Sequence, residues 1–318
     1  VPLLPAPDYA PPAGFRNGHV QTLWAGKVRR VDGVAYRRER LDTPDGDFLD
    51  LDRVSAGAQR VAVVSHGLEG SAERAYVRGM ARQLAGAGWD VVAWNLRGCS
   101  GEANRARRLY HSGATEDLDA VVRHLLPAYD RMALVGFSLG GNLTLKYLGE
   151  AERDPKVVAA VAFSVPVDLA ASSEALARWR NGIYMAYFLR SLRRKIRRKA
   201  EQFPGEVDVA GLRGVRTFGE FDDRYTAPFH GFRDAQDYWA RSSSRPVLPS
   251  VRVPTLLVNA ADDPFLAPAC FPREEAAASG YFHLEVPAYG GHVGFVSFGG
   301  DGSYWSERRA AAFLAEHA

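Results

Sequence analysis

Apolar and polar positions along most of this chain alternate between two patterns. Short continuous apolar runs are separated by segments in which apolar residues recur every three or four positions. The runs at 61–65, 90–95, 132–137, 157–163 and 255–259 have the length and β-branched content of strands buried on both faces, and 282–286 completes the series. Segments 72–87, 115–126 and 142–149 read as helices between them. Two earlier stretches, 34–41 and 48–54, are strand-like, and Pro44-Asp45-Gly46-Asp47 between them reads as a hairpin turn. An opening hairpin followed by alternating β/α units predicts an eight-stranded, mostly parallel sheet flanked by helices.

The rhythm breaks at 170–254, which holds no buried strand of the earlier kind. Residues 174–203 read as one long helix, very basic over 192–199, and 218–238 as an aromatic, loop-like stretch. A helical insertion between the sixth and seventh strands reads as a cap over the active-site end. Residues 1–14, rich in Pro and Ala, read as an extended arm, and 15–30 as a segment packed on the outside of the main domain. The chain thus divides into an arm (1–30), a core (31–169 and 255–318) and a cap (170–254).

Composition narrows the class. A chain of 318 residues, 47% hydrophobic, suits one large core with an insertion. A net charge of +3 does not call for a nucleic-acid partner. Cys99 and Cys270 are the only cysteines and lie far apart. That excludes a disulfide framework and points to a reducing compartment. His19, His111 and His124 have no metal-ligand spacing with one another or with cysteine, so no metal or other cofactor is expected. No apolar run approaches membrane-spanning length and no signal-peptide pattern opens the chain. The expected location is the cytoplasm.

Candidate chemistry centres on Gly136-Phe137-Ser138-Leu139-Gly140, between a buried strand and a helix. Alone, this is equally a glycine-rich turn carrying a surface serine. As a nucleophile elbow it would lift the Ser138 hydroxyl clear of the sheet. Ligands of open parallel sheets bind at the carboxyl ends of the strands. Asp262-Asp263 follows the seventh strand and His292 the eighth, which gives the order Ser, Asp, His that accompanies this elbow. A serine needs a base to take its proton, and histidine suits because it accepts and then returns one. A carboxylate on the other ring nitrogen fixes the tautomer. Asp263 is the preferred acid, with Asp262 and Asp168 left open. The amides of Leu139, after the nucleophile, and Leu68, after the third strand, are the expected oxyanion donors. His66 reads as a structural residue that orients the Leu68 loop. Tyr184, Met185, Tyr187 and Phe188 either line an acyl pocket or form ordinary cap core. The run Arg193, Arg194, Lys195, Arg197, Arg198, Lys199 reads as a solvated helix face. Its functional alternative is peripheral contact with an anionic membrane surface.

Several motifs carry a resemblance: His19-Val20-Gln21-Thr22, Ser65-His66-Gly67-Leu68-Glu69-Gly70-Ser71, Asn95 to Glu102, Gly136 to Gly140, Asn259 to Pro264, and Gly290 to Phe295. Together they resemble the α/β hydrolases. More narrowly, they resemble the YheT-type bacterial hydrolases and their eukaryotic relatives that act on acylglycerols and phospholipids. The resemblance runs over nearly the whole chain. It implies the α/β-hydrolase fold, a triad of Ser138, Asp263 and His292, and esterase or lipase-type activity. The expected function is a cofactor-independent serine carboxylesterase acting on short- to medium-chain or acylglycerol-type esters through an acyl-enzyme on Ser138. The alternatives are acyl transfer or thioester hydrolysis by the same triad, or a non-catalytic ligand-binding protein on this scaffold.

Overall fold

The uninterrupted apolar runs form the middle of one eight-stranded sheet in the computed structural model, which describes Leu4 and residues 8–318. The strands are β1 Arg37–Asp42, β2 Phe48–Val54, β3 Arg60–Ser65, β4 Asp90–Asn95, β5 Arg131–Phe137, β6 Val157–Phe163, β7 Thr255–Val258 and β8 Phe282–Glu285. Their order is β1-β2-β4-β3-β5-β6-β7-β8. β2 runs antiparallel to both β1 and β4, and every other pairing is parallel. The edge strand β1 has no buried residue, and Arg38 and Arg40 on it pair with Asp52 and Asp50 of β2. Charge on an edge strand discourages pairing with a second chain.

The helices are α1 Gly18–Leu23, α2 Ala75–Gly86, α3 Thr115–Leu125, α4 Leu139–Glu150, α5 Leu169–Ala177, α6 Gly182–Gln202, α7 Phe218–Phe221, α8 Ala227–His230, α9 Ala235–Ser242, α10 Arg273–Ala277 and α11 Trp305–His317. Because β3 to β6 are apolar on both faces, each face needs its own helical layer. Met80 and Leu84 of α2, with Phe313 and Leu314 of α11, cover Val64, Val135 and Val161. Leu118 and Val122 of α3, with Leu143 and Leu148 of α4, cover Val63, Trp94 and Leu134. The parallel strands end together along one edge of the sheet, which is where the site forms. Among the described residues no helix is long and apolar enough to cross a membrane.

Between β6 and β7 the elements are all helical, but they differ from the expected layout in two places. The single helix expected over 174–203 is two, α5 and α6, separated by a turn at Trp179–Asn181. The Asn181 amide donates to the Ala175 and Pro264 carbonyls, which ends α5 and ties the turn to the loop after β7. The stretch 218–238, expected as loop, contains α7, α8 and α9. Thr217 caps α7 by accepting from the Glu220 amide, and Asp234 caps α9 by accepting from the Asp237 amide. Helices of one or two turns are too short for an apolar period to show, whereas their caps are visible as Thr-x-x-Glu and Asp-x-x-Asp.

The basic run on α6 does not form one solvated helix face. Arg194, Arg197 and Arg198 are exposed. Lys195 and Lys199 turn inward with Leu192 and Ile196, on the side that helical spacing dictates. Lys199 donates to the Asn104 and Ala106 carbonyls, and burial pushes its pKa down to about 8. Arg193 is half-buried and donates to the Val215 carbonyl.

Of the expected extended arm, residues 1–3 and 5–7 lie outside the described residues. The segment after it does more than coat the surface. Asn17 caps α1, and Gly18 lies so close to the Asp262 carbonyl that a Cβ there would stand 2.0 Å from it. The Gln21 carboxamide accepts from Tyr9 and from the Val296 amide. The segment thereby packs beneath the loop that carries His292.

Candidate active site

Ser138 is the single residue between β5 and α4, and its backbone takes the sparsely populated combination φ 53, ψ −119. The turn closes only because its neighbours lack side chains. A Cβ on Gly136 would stand 2.5 Å from the Gly140 carbonyl oxygen, and one on Gly140 would stand 2.4 Å from that of Ser65. The Ser138 amide donates to the Phe163 carbonyl, which pins the turn to β6.

His292 reaches this hydroxyl from the loop after β8. Its Nε2 lies 2.9 Å from Ser138 Oγ, and its Nδ1 lies 2.9 Å and 3.2 Å from the two carboxylate oxygens of Asp263. The Asp263 side chain is fully buried and that of His292 is 11% exposed. Asp263 also accepts from the Phe265 amide, and the Phe265 ring lies 4.2 Å from the imidazole, centroid to centroid. These partners fix the carboxylate and the ring plane together.

The histidine loop is held from three sides. Its amides donate in turn to Asp262 from Gly291, to Thr22 from His292 and to Ser164 from Val293, each at 2.8 Å. Of the three carboxylates that the sequence left open, Asp263 is therefore the one on His292. Asp262 braces the loop instead, and burial raises its pKa. Asp168 caps α5 through the Ala171 amide. This division sets an expectation. Asp263→Asn should lower kcat about 10⁴-fold by presenting the wrong tautomer partner. Asp262→Asn should cost about tenfold or less. Ester kinetics on the two variants decide it, and an inactive Asp262→Asn beside an active Asp263→Asn would overturn the assignment.

The loop after β3 brings Leu68 to the same place. Among the described residues, neither the Leu68 nor the Leu139 amide donates a hydrogen bond. Both amides are thus left free beside the serine, and the Leu139 amide stands at the positive end of α4. The next residue, Glu69, has φ 53 and is buried. Its carboxylate accepts from Tyr110 at 2.7 Å and from Lys195 of α6 at 2.8 Å, and it also contacts the Ser191 hydroxyl. The Glu69 amide donates to the same Tyr110 hydroxyl. Glu69 thus fastens the Leu68 loop to α6.

His66 is fully buried and ties two strand ends together. Nδ1 is 2.8 Å from the Gly67 carbonyl, and Nε2 accepts from the Leu96 amide at 3.1 Å. With one partner an acceptor and the other a donor, the ring is held neutral. Burial pushes its pKa down to about 4. The unfolded chain takes up this proton near pH 6.5 and the folded one only near 4, so the stability is whole above 6.5 and is lost as pH falls towards 4. The loss is about 3 kcal/mol. A His66→Gln variant should show a shallower fall in stability over that window, read from urea unfolding at successive pH values. His111 and His230, also lowered by burial, keep the slope from vanishing. An unchanged slope would assign the effect elsewhere.

Two cavities meet at Ser138, each about 950–960 Å³ including the part open to solvent. Leu68, Ser138, Phe188 and Phe265 border both. The inner one runs under α5–α9, is lined by aromatic and aliphatic residues such as Leu176, Phe221 and Tyr225, and has no exposed lining residue. The outer one is lined by His292, by Tyr76 and by exposed residues including Leu23, Lys27, Ile183 and Tyr187. Tyr184 and Tyr187 therefore line the outer cavity and Phe188 both, whereas Met185 belongs to the helical core. Among the described residues no group of three or more His, Cys, Asp or Glu is placed to hold a metal ion.

Sheet order, elbow and strand-end residues together define an α/β hydrolase. The comparisons agree. The family described as alpha/beta hydrolase fold matches residues 63–295. This chain belongs to the α/β hydrolase fold family, and within it to the YheT-type group. It is 38% identical over 297 residues to YheT of Escherichia coli, provisionally named an esterase, covering 91% of this chain and 87% of that protein. It is 32% identical over 300 residues to phospholipase ABHD3 of Mus musculus, covering 91% of this chain and 73% of that one. Among solved structures, the esterase Pf2001 of Pyrococcus furiosus aligns with a TM-score of 0.61 at 18% identity, over 91% of this chain and 96% of that chain. At that identity the likeness speaks for the fold.

Proposed function

We propose that the protein is a cofactor-independent serine carboxylesterase, with Ser138 as nucleophile, His292 as general base and acid, and Asp263 as the residue orienting the imidazole. The observation that carries this reading is the unbroken relay from Ser138 Oγ through both nitrogens of His292 to Asp263, with 2.9 Å steps, at the junction of the two cavities. Ser138 Oγ attacks the ester carbonyl as its proton passes to Nε2. The Leu68 and Leu139 amides receive the oxyanion. The imidazolium, stabilised by Asp263, returns the proton to the departing alkoxide, and water activated by the same nitrogen releases the acid. Helices α5–α9 act as a cap, and the apolar inner cavity suits a short- to medium-length acyl chain. The esterase and phospholipase names of the relatives support hydrolysis of ester bonds. An active-site serine probe combined with a short-chain ester assay tests the reading. Labelling should be complete in the wild type and absent in Ser138→Ala, and equal labelling of the two would refute it.

A further inference from the structure

The two cavities differ in one respect that bears on the substrate. His292 lines the outer cavity and not the inner one, whereas Leu139 lines only the inner one. In the esterase mechanism proposed above, on which this inference rests, His292 Nε2 must reach the departing oxygen. The alcohol half then lies in the outer cavity and the acyl half in the inner one.

The charged residues lining the outer cavity are Lys27 and Arg74, with no aspartate or glutamate among the lining residues. Among the described residues, neither cation pairs with a carboxylate. Both meet Tyr187 instead. Lys27 Nζ lies 3.7 Å from the ring centroid, and Arg74 Nη2 donates to the hydroxyl at 3.3 Å and to the Glu69 carbonyl at 2.7 Å. Burial alone would raise the Tyr187 phenol, but the hydrogen bonds and charges of Arg74 and Lys27 bring it below its ordinary value. A field that favours a phenolate favours any anion placed there. In the inner cavity, by contrast, Lys195 is neutralised by Glu69.

We infer that the outer cavity binds the alcohol half of the substrate, and that this half carries a negative charge, a carboxylate or a phosphate, met by Lys27 and Arg74. Butanoyl esters of matched alcohols test this: glycolate against glycolamide, 2-phosphoethanol against ethylene glycol, and choline as the cationic case. At least one anionic ester should exceed its neutral partner in kcat/KM by about tenfold, the worth of one charge-assisted hydrogen bond, chiefly through KM. The choline ester should be poorest. The preference should shrink as salt rises from about 0.02 to about 0.5 M. In Lys27→Gln the anionic-to-neutral ratio should fall, and in Lys27→Glu it should fall further. A preference for one anion alone supports the inference and identifies the group. Parity within about twofold for both pairs in the wild type, or a ratio indifferent to salt and to both Lys27 substitutions, overturns it. Failure of the esterase reading looks different: no ester of any charge turns over and the serine probe does not label.

Discussion

Ser138→Ala should lower kcat for a short-chain ester by about 10⁶-fold, and adding His292→Ala should cost almost nothing more. The reason is geometric. Ser138 Oγ and His292 Nε2 are 2.9 Å apart, and in the proposed mechanism they act as one group, so that once the hydroxyl is gone the imidazole has no proton to take. What survives is the contribution of binding and of the Leu68 and Leu139 amides. Ser138→Ala should unfold within about 1 kcal/mol of the wild type, because alanine meets the same backbone penalty as serine at φ 53. The check is a comparison of both single variants and the double variant by ester kinetics and denaturant unfolding. Additive losses, or a Ser138→Ala enzyme with substantial turnover, would show that the two residues do not work together.

Glu69→Ala should be the most damaging substitution outside that relay. It leaves the Lys195 ammonium, 14% exposed, without its carboxylate, and it strips Tyr110 of an acceptor. Breaking a buried pair from one side costs about 3–5 kcal/mol. The same change frees the loop that aims the Leu68 amide, so kcat should fall by up to about 10²–10³-fold, the range seen when one oxyanion donor is lost. KM should move much less, because an oxyanion donor acts on charge that develops in the transition state and not on the bound ester. Glu69→Gln combined with Lys195→Met removes both charges and should regain most of the lost stability, giving a large coupling in a double-mutant cycle. If Glu69→Ala keeps both its stability and its kcat, Glu69 is not a clasp between the oxyanion loop and α6.

The sheet was legible because its central strands are buried on both faces, which leaves runs such as 90–95 and 157–163 without a polar break. They coincide with β4 and β6 to the residue. The relay residues were legible for a different reason: each lies in the turn or loop that follows a strand end, so a one-dimensional order already carried their arrangement. Residues that hold the site in place were not legible. Thr22 meets His292 across 270 positions and Ser164 meets Val293 across 129. Nothing local distinguishes either hydroxyl. Thr22 and Glu69 did stand inside motifs that carry the family resemblance, but their chemistry became visible only with their partners. On α6 the signal was present and outweighed by charge. Leu192, Lys195, Ile196 and Lys199 share one side of the helix, and the apolar pair already says which side turns inward.

On the acyl-enzyme mechanism proposed for this site, the division of space at Ser138 also sets an order of departure. The alcohol would be released beside the exposed residues of the outer cavity, while the acyl group would stay bonded to Ser138 beneath the helices that cover the inner one. Water for the second half of the reaction would enter through the room that the alcohol vacates, next to His292. The carboxylic acid would leave last, past Leu68, Phe188 and Phe265, which border both cavities. Bulk at those three residues would then govern how quickly the enzyme is ready again, and a nucleophile small enough to enter where the alcohol left would compete with water for the acyl group.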